Sequence, residues 1–321
     1  MPMRIKNWLI WPRTLLLAIL VVVYASAVTT FAAEFEMVSY TAYTSLHWLK
    51  EAGVPEAKEY AKAIGPKSLL NKNEIPNYAI LAPVNHFYHE MRYTALNRYI
   101  DENGYTNVMD IACGFSPRGL VMAREGRHFV AAELEAVAVA GNGYLQKCLT
   151  ADQKKLASYE AVDATDKTSI IAAADKMKGK ICITMDGLMM YLSADEQAKV
   201  LQNIKAILQK HGGCFITCDF SERDFVTQAA ITLYGEKGAS DLYRESAKVY
   251  ESTAEADYNE DFFDNAESAQ KFIEAQGLQA KRIPLFDKPV KLYSNRKLNK
   301  EQNARLEQLK TKEFLWVITA K

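Results

Sequence analysis

The sequence predicts an α/β protein: a doubly wound, mainly parallel sheet preceded by an N-terminal helical cap and a hydrophobic N-terminal segment. Three observations lead there. From residue 108 onward, short apolar runs alternate with amphipathic helical stretches, the grammar of a parallel sheet covered on both faces. Residues 34–107 instead repeat apolar side chains at three- and four-residue spacing, the period of helices. Residues 14–33 form a run of 20 without a charge. The composition agrees: 49% of the 321 residues are apolar and 24% charged, which excludes a disordered chain. Lys plus Arg equals Asp plus Glu, 39 each, so the basic excess of a duplex-binding protein is missing and no nucleic-acid partner is expected.

The first element is the uncharged run from Thr14 to Ala33, with Arg4, Lys6 and Arg13 before it and Glu34 and Glu36 after it. Twenty residues at about 1.5 Å each just cross a hydrocarbon core of about 30 Å. Membrane association through residues 14–33 is one reading. A signal peptide cleaved near Ala25-Ser26-Ala27 is a second, and a start at Met37 a third. The flanking charges keep the N-terminus cytoplasmic and send the remainder outward.

The helical cap, 34–107, follows. Ala42, Leu46 and Leu49, then Ala57, Tyr60, Ala61 and Ile64, mark apolar faces, and a helix through Arg92, Leu96, Tyr99 and Ile100 stops near Asn103-Gly104. His86 and His89 lie three apart, but no further ligand accompanies them, and no metal is expected.

Residues 108–321 then read as a Rossmann-like domain. Strands are expected at Val108–Ala112, His128–Ala132, Ile181–Met185, Cys214–Cys218 and Phe314–Thr319, with a weaker one at Tyr159–Val162. Ser193 and Glu196 form a capping box ahead of Val200, Leu201, Ile204, Ile207 and Leu208, and Gly212-Gly213 ends that helix. A further helix covers Ala266–Gly277. The polar, tyrosine-rich insertion 221–263, with Tyr234, Tyr243, Tyr250 and Tyr258, reads as a substrate lid or as ordinary packing. Cys113, Cys148, Cys182, Cys214 and Cys218 form no C-x-x-C pair; they suit a reducing compartment and small buried sites.

The chemistry is expected at the first strand's end. Asp110, Ala112 and Gly114 lie in a strand–turn–helix passage, with Ser116 placed to cap the helix and Pro117 to start it. In an open parallel sheet this is where ligands bind. A dinucleotide turn needs G-x-G-x-x-G to cradle a pyrophosphate. Here Ala112 replaces the first glycine and Pro117, which has no N–H, the third. A nucleoside without phosphates loses nothing by this, and the cationic S-adenosyl-L-methionine gains from acidic neighbours. Glu133, 23 residues beyond Asp110, is placed for the ribose hydroxyls. Asp163, with Ala164 beside it, follows the third strand and is placed for the adenine amino group. Asp186 ends the fourth, near the methionine ammonium or the substrate.

These residues resemble the leucine carboxyl methyltransferase-like family of class I S-adenosylmethionine-dependent methyltransferases, which includes bacterial polyketide-type O-methyltransferases. Residues 111–119, IACGFSPRG, resemble its L-G-A-G-x-D-T-R-A block, with Gly114 and Arg118 on the retained glycine and arginine. Residues 186–193, DGLMMYLS, resemble its E-G-x-x-M-Y-L block. Arg92, 19 residues before Ile111, sits where the family places an arginine for the cofactor carboxylate. Weaker echoes are Ser39–Ala42 and Phe262-Phe263, so the likeness spans about 37–321. Ala112 for Gly, Ser116 for Asp and Asp186 for Glu depart from the pattern.

The resemblance implies methyl transfer to a carboxylate or hydroxyl of a small molecule. A carboxylate acceptor is ionised at neutral pH and needs no general base; a hydroxyl needs one, or a dry pocket. Tyr191 and Arg118 are the candidate catalytic residues, as substrate contacts, with a structural partnership of Arg118 and Asp110 as the alternative for the arginine. The competing functions are a protein C-terminal carboxyl methyltransferase, an NAD-dependent oxidoreductase, which the phosphate-poor turn disfavours, and a non-catalytic membrane-tethered binding module. The cofactor is made in the cytoplasm, so a cytoplasmic catalytic domain is expected, against the direction of the N-terminal charges.

Overall fold

Five consecutive buried residues, Asn107–Ile111, form β1, an inner strand of a seven-stranded sheet in the computed structural model. The structure describes residues 42–65, 78–220 and 265–321, with 231–232, 235–238, 240 and 263. Contacts divide the chain between Tyr40 and Thr41, with the helical region and the sheet in one unit, Thr41–Lys321. The apolar run 14–33, Ser39 to Thr41 of the first echo, Phe262, and Tyr234, Tyr243, Tyr250 and Tyr258 of the insertion lie outside the described residues. No helix among the described residues is long and apolar enough to cross a membrane.

Helix α1 spans 42–52, α2 Pro55–Ile64 and α3 Tyr78–Glu102. After β1 come α4 (Arg118–Arg124), β2 (His128–Glu133), α5 (Glu135–Cys148), β3 (Ala157–Ala161), α6 (Lys167–Ala174), β4 (Ile181–Met185), α7 (Ala194–His211) and β5 (Gly213–Thr217). The chain then forms α8 (Ala266–Ala275), β6 (Leu278–Pro284), α9 (Lys300–Lys310) and β7 (Phe314–Ala320). The strand order is β3-β2-β1-β4-β5-β7-β6. Strands β1 to β5 are mutually parallel, and β7 runs antiparallel between β5 and β6. The five strong strand expectations fall within one residue of β1, β2, β4, β5 and β7. The weak one shifts by two residues at its start to β3, and the sequence reading missed β6.

Side chains alternate across β1, as the pleat requires. Met109 and Ile111 join a core with Ile170 of α6, Ile273 of α8 and five residues of α7: Val200, Leu201, Ile204, Ile207 and Leu208. Fully burying those five contributes roughly 8–15 kcal/mol before chain entropy is charged against it. The α7 start is fixed by the expected capping box: the Glu196 carboxylate accepts the Ser193 N–H at 2.9 Å and the Ser193 hydroxyl at 2.7 Å. On the opposite face of β1 sits Asp110, beneath α3 and α4.

Candidate active site

The strand order reverses between β1 and β4, and ligands of such sheets enter the crevice opened there at the carboxyl ends. Register sets what lines that edge. Ile111 pairs with Ala132 and with Met185, and Met185 pairs with Thr217. The residues just beyond, Ala112, Glu133, Asp186 and Cys218, therefore stand level on one rim, and Asp163 follows β3 next to them.

The turn after β1 is unusual in its backbone. Ala112 has φ +51°, the only positive φ of a non-glycine among the described residues. An L-residue there costs about 1–2 kcal/mol, which explains why a glycine suits this position. Gly114 follows with φ +55°. A Cβ on it would lie 2.4 Å from the carbonyl oxygen of Ala42, and the Phe115 N–H donates to that same oxygen at 2.9 Å. Helix α1 thus roofs the turn with bare backbone, and only glycine permits the approach. Below, the Tyr159 hydroxyl donates to the Gly114 carbonyl at 3.0 Å. Tyr43 of α1 packs on Phe115 at 4.5 Å between centroids and meets the Tyr144 hydroxyl at 3.0 Å.

Glu133 closes the turn from the side. Its Oε1 accepts the Gly114 N–H at 2.5 Å, and the residue is buried. Burial pushes its carboxyl up to about 7, against the pull of the Gly114 N–H, and the Asp110 charge adds to the rise. The folded value thus exceeds the unfolded one of about 4.5. The stability this gives is whole below about pH 4.5 and is lost as pH climbs through about 7. The expected size is on the order of 3 kcal/mol. Glu133→Gln should remove that part of the slope, as read from urea denaturation at about pH 5 and about pH 8. Identical slopes in the two proteins would refute the assignment.

Arg118 is 2% exposed and forms the structural partnership with Asp110 that is its second reading. Its guanidinium pairs with the Asp110 carboxylate, donates to Asn97 Oδ1 at 2.7 Å and lies 5.4 Å over the Tyr93 ring. Thr184 donates to the other Asp110 oxygen at 2.7 Å. Asp110 is 0% exposed inside β1. Burial pushes its carboxyl up, while Arg118 draws it down.

Arg92 of α3 pairs with both Asp186 and Asp219, each at 2.5 Å, and donates to the Tyr88 hydroxyl. The two carboxylates keep Arg92 charged despite its burial, whereas burial pushes Asp186 up against the pull of Arg92. Asp219 escaped the sequence reading, although it follows a strand end as the other acids do. Its carboxylate accepts the N–H groups of Gly187, Leu188 and Met189 at 2.6, 2.9 and 3.1 Å. It therefore shapes the turn that carries Tyr191, which is 39% exposed. Arg92 Nε is buried without a hydrogen-bond partner among the described residues.

Asp163 is exposed and accepts the Thr165 N–H and hydroxyl, both at 2.8 Å. The Ala164 carbonyl accepts from Asn203 at 2.9 Å, tying this loop to α7. The structure thus brings Ala112, Gly114, Glu133, Asp163, Ala164, Asp186 and Arg92 to one edge of the sheet, and leaves Arg118 and Asp110 beneath it. No group of three or more His, Cys, Asp or Glu side chains able to hold a metal occurs among the described residues. His86 packs against Trp48 at 5.5 Å, and burial draws His89 down to about 3.

No protein-family model matches the chain, and no curated protein matches it. The likeness to leucine carboxyl methyltransferases therefore stands on its motifs alone. Solved structures similar to the chain include the methyltransferase domain of a bacterial Hen1, at 10% identity and TM-score 0.44, covering 72% of this chain and 98% of that one. Another is the magnesium protoporphyrin IX methyltransferase of Synechocystis with bound SAH, at 10% identity and TM-score 0.44, covering 71% and 86%. A third is an O-methyltransferase from neocarzinostatin biosynthesis in complex with S-adenosyl-L-homocysteine and 1,4-dihydroxy-2-naphthoic acid, at 10% identity and TM-score 0.43, covering 76% and 57%.

Proposed function

We propose that the chain is an S-adenosyl-L-methionine-dependent O-methyltransferase acting on a carboxylate or hydroxyl of a small molecule. One observation carries this reading: the Gly114 N–H, the group a pyrophosphate would need, is turned onto the Glu133 carboxylate. A phosphate entering there would find that N–H already taken by a carboxyl that turns negative as pH climbs through about 7, whereas a neutral ribose or a cation is accommodated. That disfavours a dinucleotide on the same sheet.

The residues present fit the cofactor. Glu133 would hold the ribose hydroxyls and Asp163 the adenine amino group. Asp186 would face the ammonium. Arg92 would take the carboxylate, because its buried Nε has no partner among the described residues and a buried donor left alone costs about 1–3 kcal/mol. When bound, the cofactor supplies a methyl group on a cationic sulfur. The chain's contribution is alignment, the main source of acceleration when reactants are held in line. Asp219 fixes the 187–189 turn, and Tyr191 at its end meets the acceptor. A carboxylate acceptor arrives ionised, so the site needs no proton acceptor for it. The cofactor's origin puts the domain in the cytoplasm.

The test compares thermal stability with S-adenosylhomocysteine and with NAD. At about 100 times its dissociation constant a ligand adds about 2.7 kcal/mol. S-adenosylhomocysteine should raise the melting temperature and NAD should not, and Glu133→Ala should abolish the rise. A response to NAD alone would overturn the reading. Retention of the rise in the alanine variant would remove Glu133 from the ribose site.

A further inference from the structure

A cleft of about 430 Å³ opens between the α1–α2 corner and the turn Ser294–Lys297, lined by Lys50, Lys58, Arg296 and Lys297 with Glu51 and Tyr293. It contains none of the strand-end acids. It adjoins the C-terminal end of α1, one helix of about 16 Å away from Ala42 and the Gly114 turn.

The cleft has fixed walls. Gly53, with φ +114°, lets the α1–α2 corner fold so closely that a Cβ there would sit 3.6 Å from Tyr293 Cβ and 3.8 Å from Lys58 Nζ. The opposite wall is pinned to α3. The Glu90 carboxylate, 1% exposed, accepts the N–H groups of Tyr293 and Ser294 at 2.5 and 2.7 Å. The Arg296 guanidinium lies 5.4 Å over the Tyr293 ring, which steadies its planar fork.

The charge is uneven. In a chain with zero net charge, four cations and one carboxylate share this cleft. Glu51 is taken by Lys50 at 3.5 Å. Lys58, Arg296 and Lys297 form no ion pair among the described residues. Like charges held together without a counter-charge repel, and a multivalent anion relieves that repulsion. A guanidinium fork beside ammonium groups matches the tetrahedral oxygens of a phosphate. The volume lies in the small-molecule range, and the Tyr293 ring offers an apolar wall for an organic portion.

We propose that this cleft is a second ligand site, for a phosphate-bearing anion, separate from the methyl-transfer site. The test uses the full chain and inorganic pyrophosphate as the probe, with sodium chloride at matched ionic strength as the control. Pyrophosphate should raise the melting temperature beyond the salt control. The double variant Lys58→Gln, Arg296→Gln should bind it about tenfold more weakly or worse, because two charge-assisted contacts are lost. Its response to S-adenosylhomocysteine should stay unchanged, which also shows that the exposed substitutions leave the fold intact. Sedimentation with phosphatidylserine and phosphatidylcholine vesicles separates the sources. Binding to the anionic vesicles that the double variant loses puts the phosphate on a lipid headgroup; binding of pyrophosphate alone makes it a free ligand. No response to either probe, or equal responses in the wild type and the variant, overturns the proposal.

Discussion

Arg118→Met is expected to destabilise the protein by about 3–5 kcal/mol, because it leaves the Asp110 carboxylate buried without its counter-charge. The pair is sealed, with side-chain exposures of 3% and 0%, so water cannot replace the guanidinium. Asp110 would keep Thr184, one neutral donor for a group that needs a cation. The double variant Asp110→Leu, Arg118→Met should recover most of the loss, since an apolar pair of similar volume carries no desolvation penalty. Urea denaturation of the wild type, the single variant and the double variant measures this coupling. A single variant as stable as the wild type, yet unable to transfer methyl groups, would instead make Arg118 a substrate contact.

The second large effect is expected at Gly114. Gly114→Ala puts a methyl group 2.4 Å from the Ala42 carbonyl oxygen and forces a side chain into a left-handed backbone. The two costs, about 1–2 kcal/mol for the conformation and about 1–3 kcal/mol for the overlap, act together. Relief requires α1 to lift, which uncovers the turn, so the response to S-adenosylhomocysteine should vanish with the stability. Ala112→Gly two residues earlier should act in the opposite direction, gaining about 0.5–1 kcal/mol by removing a strained side chain. Thermal melts of both variants decide it: equal shifts of one sign would mean that the backbone of the turn does not set its stability.

The legible strands and the illegible ones differ in burial. Strands β1, β2, β4, β5 and β7 lie inside the sheet and are mainly apolar, with Asp110 of β1 and Thr184 of β4 as buried polar interruptions. The outer strands carry weaker signals. In β6, Leu278–Pro284, only Leu278 is fully buried, so the strand mixes Gln279, Lys281 and Arg282 with apolar residues and shows no continuous run. In β3 the residues Ser158 and Glu160 are half-exposed. Glu133 and Asp186 could be read from the sequence because each ends a recognisable strand. Asp219 obeys the same rule but precedes the insertion and belongs to no motif. The pairing of Asp110 with Arg118 was foreseeable as one of two options, since both belong to one strand–turn–helix unit. The contact between Ala42 and Gly114 was not, because nothing local in either residue signals the other.

The antiparallel strand β7 sets a schedule for synthesis. Strand β5 ends at Thr217, and the neighbour that covers its outer edge begins only at Phe314. At roughly 5–20 residues per second, a nascent chain carries β5 for about 5–20 s with one row of peptide groups unsatisfied. Phe215 and Ile216, both fully buried in the finished sheet, are flush with that row during the wait. Such an open edge is a template for pairing with a neighbouring chain. The interval between emergence of β5 and arrival of β7 is therefore when a polysome is most exposed to aggregation, and when a chaperone would have most to shield.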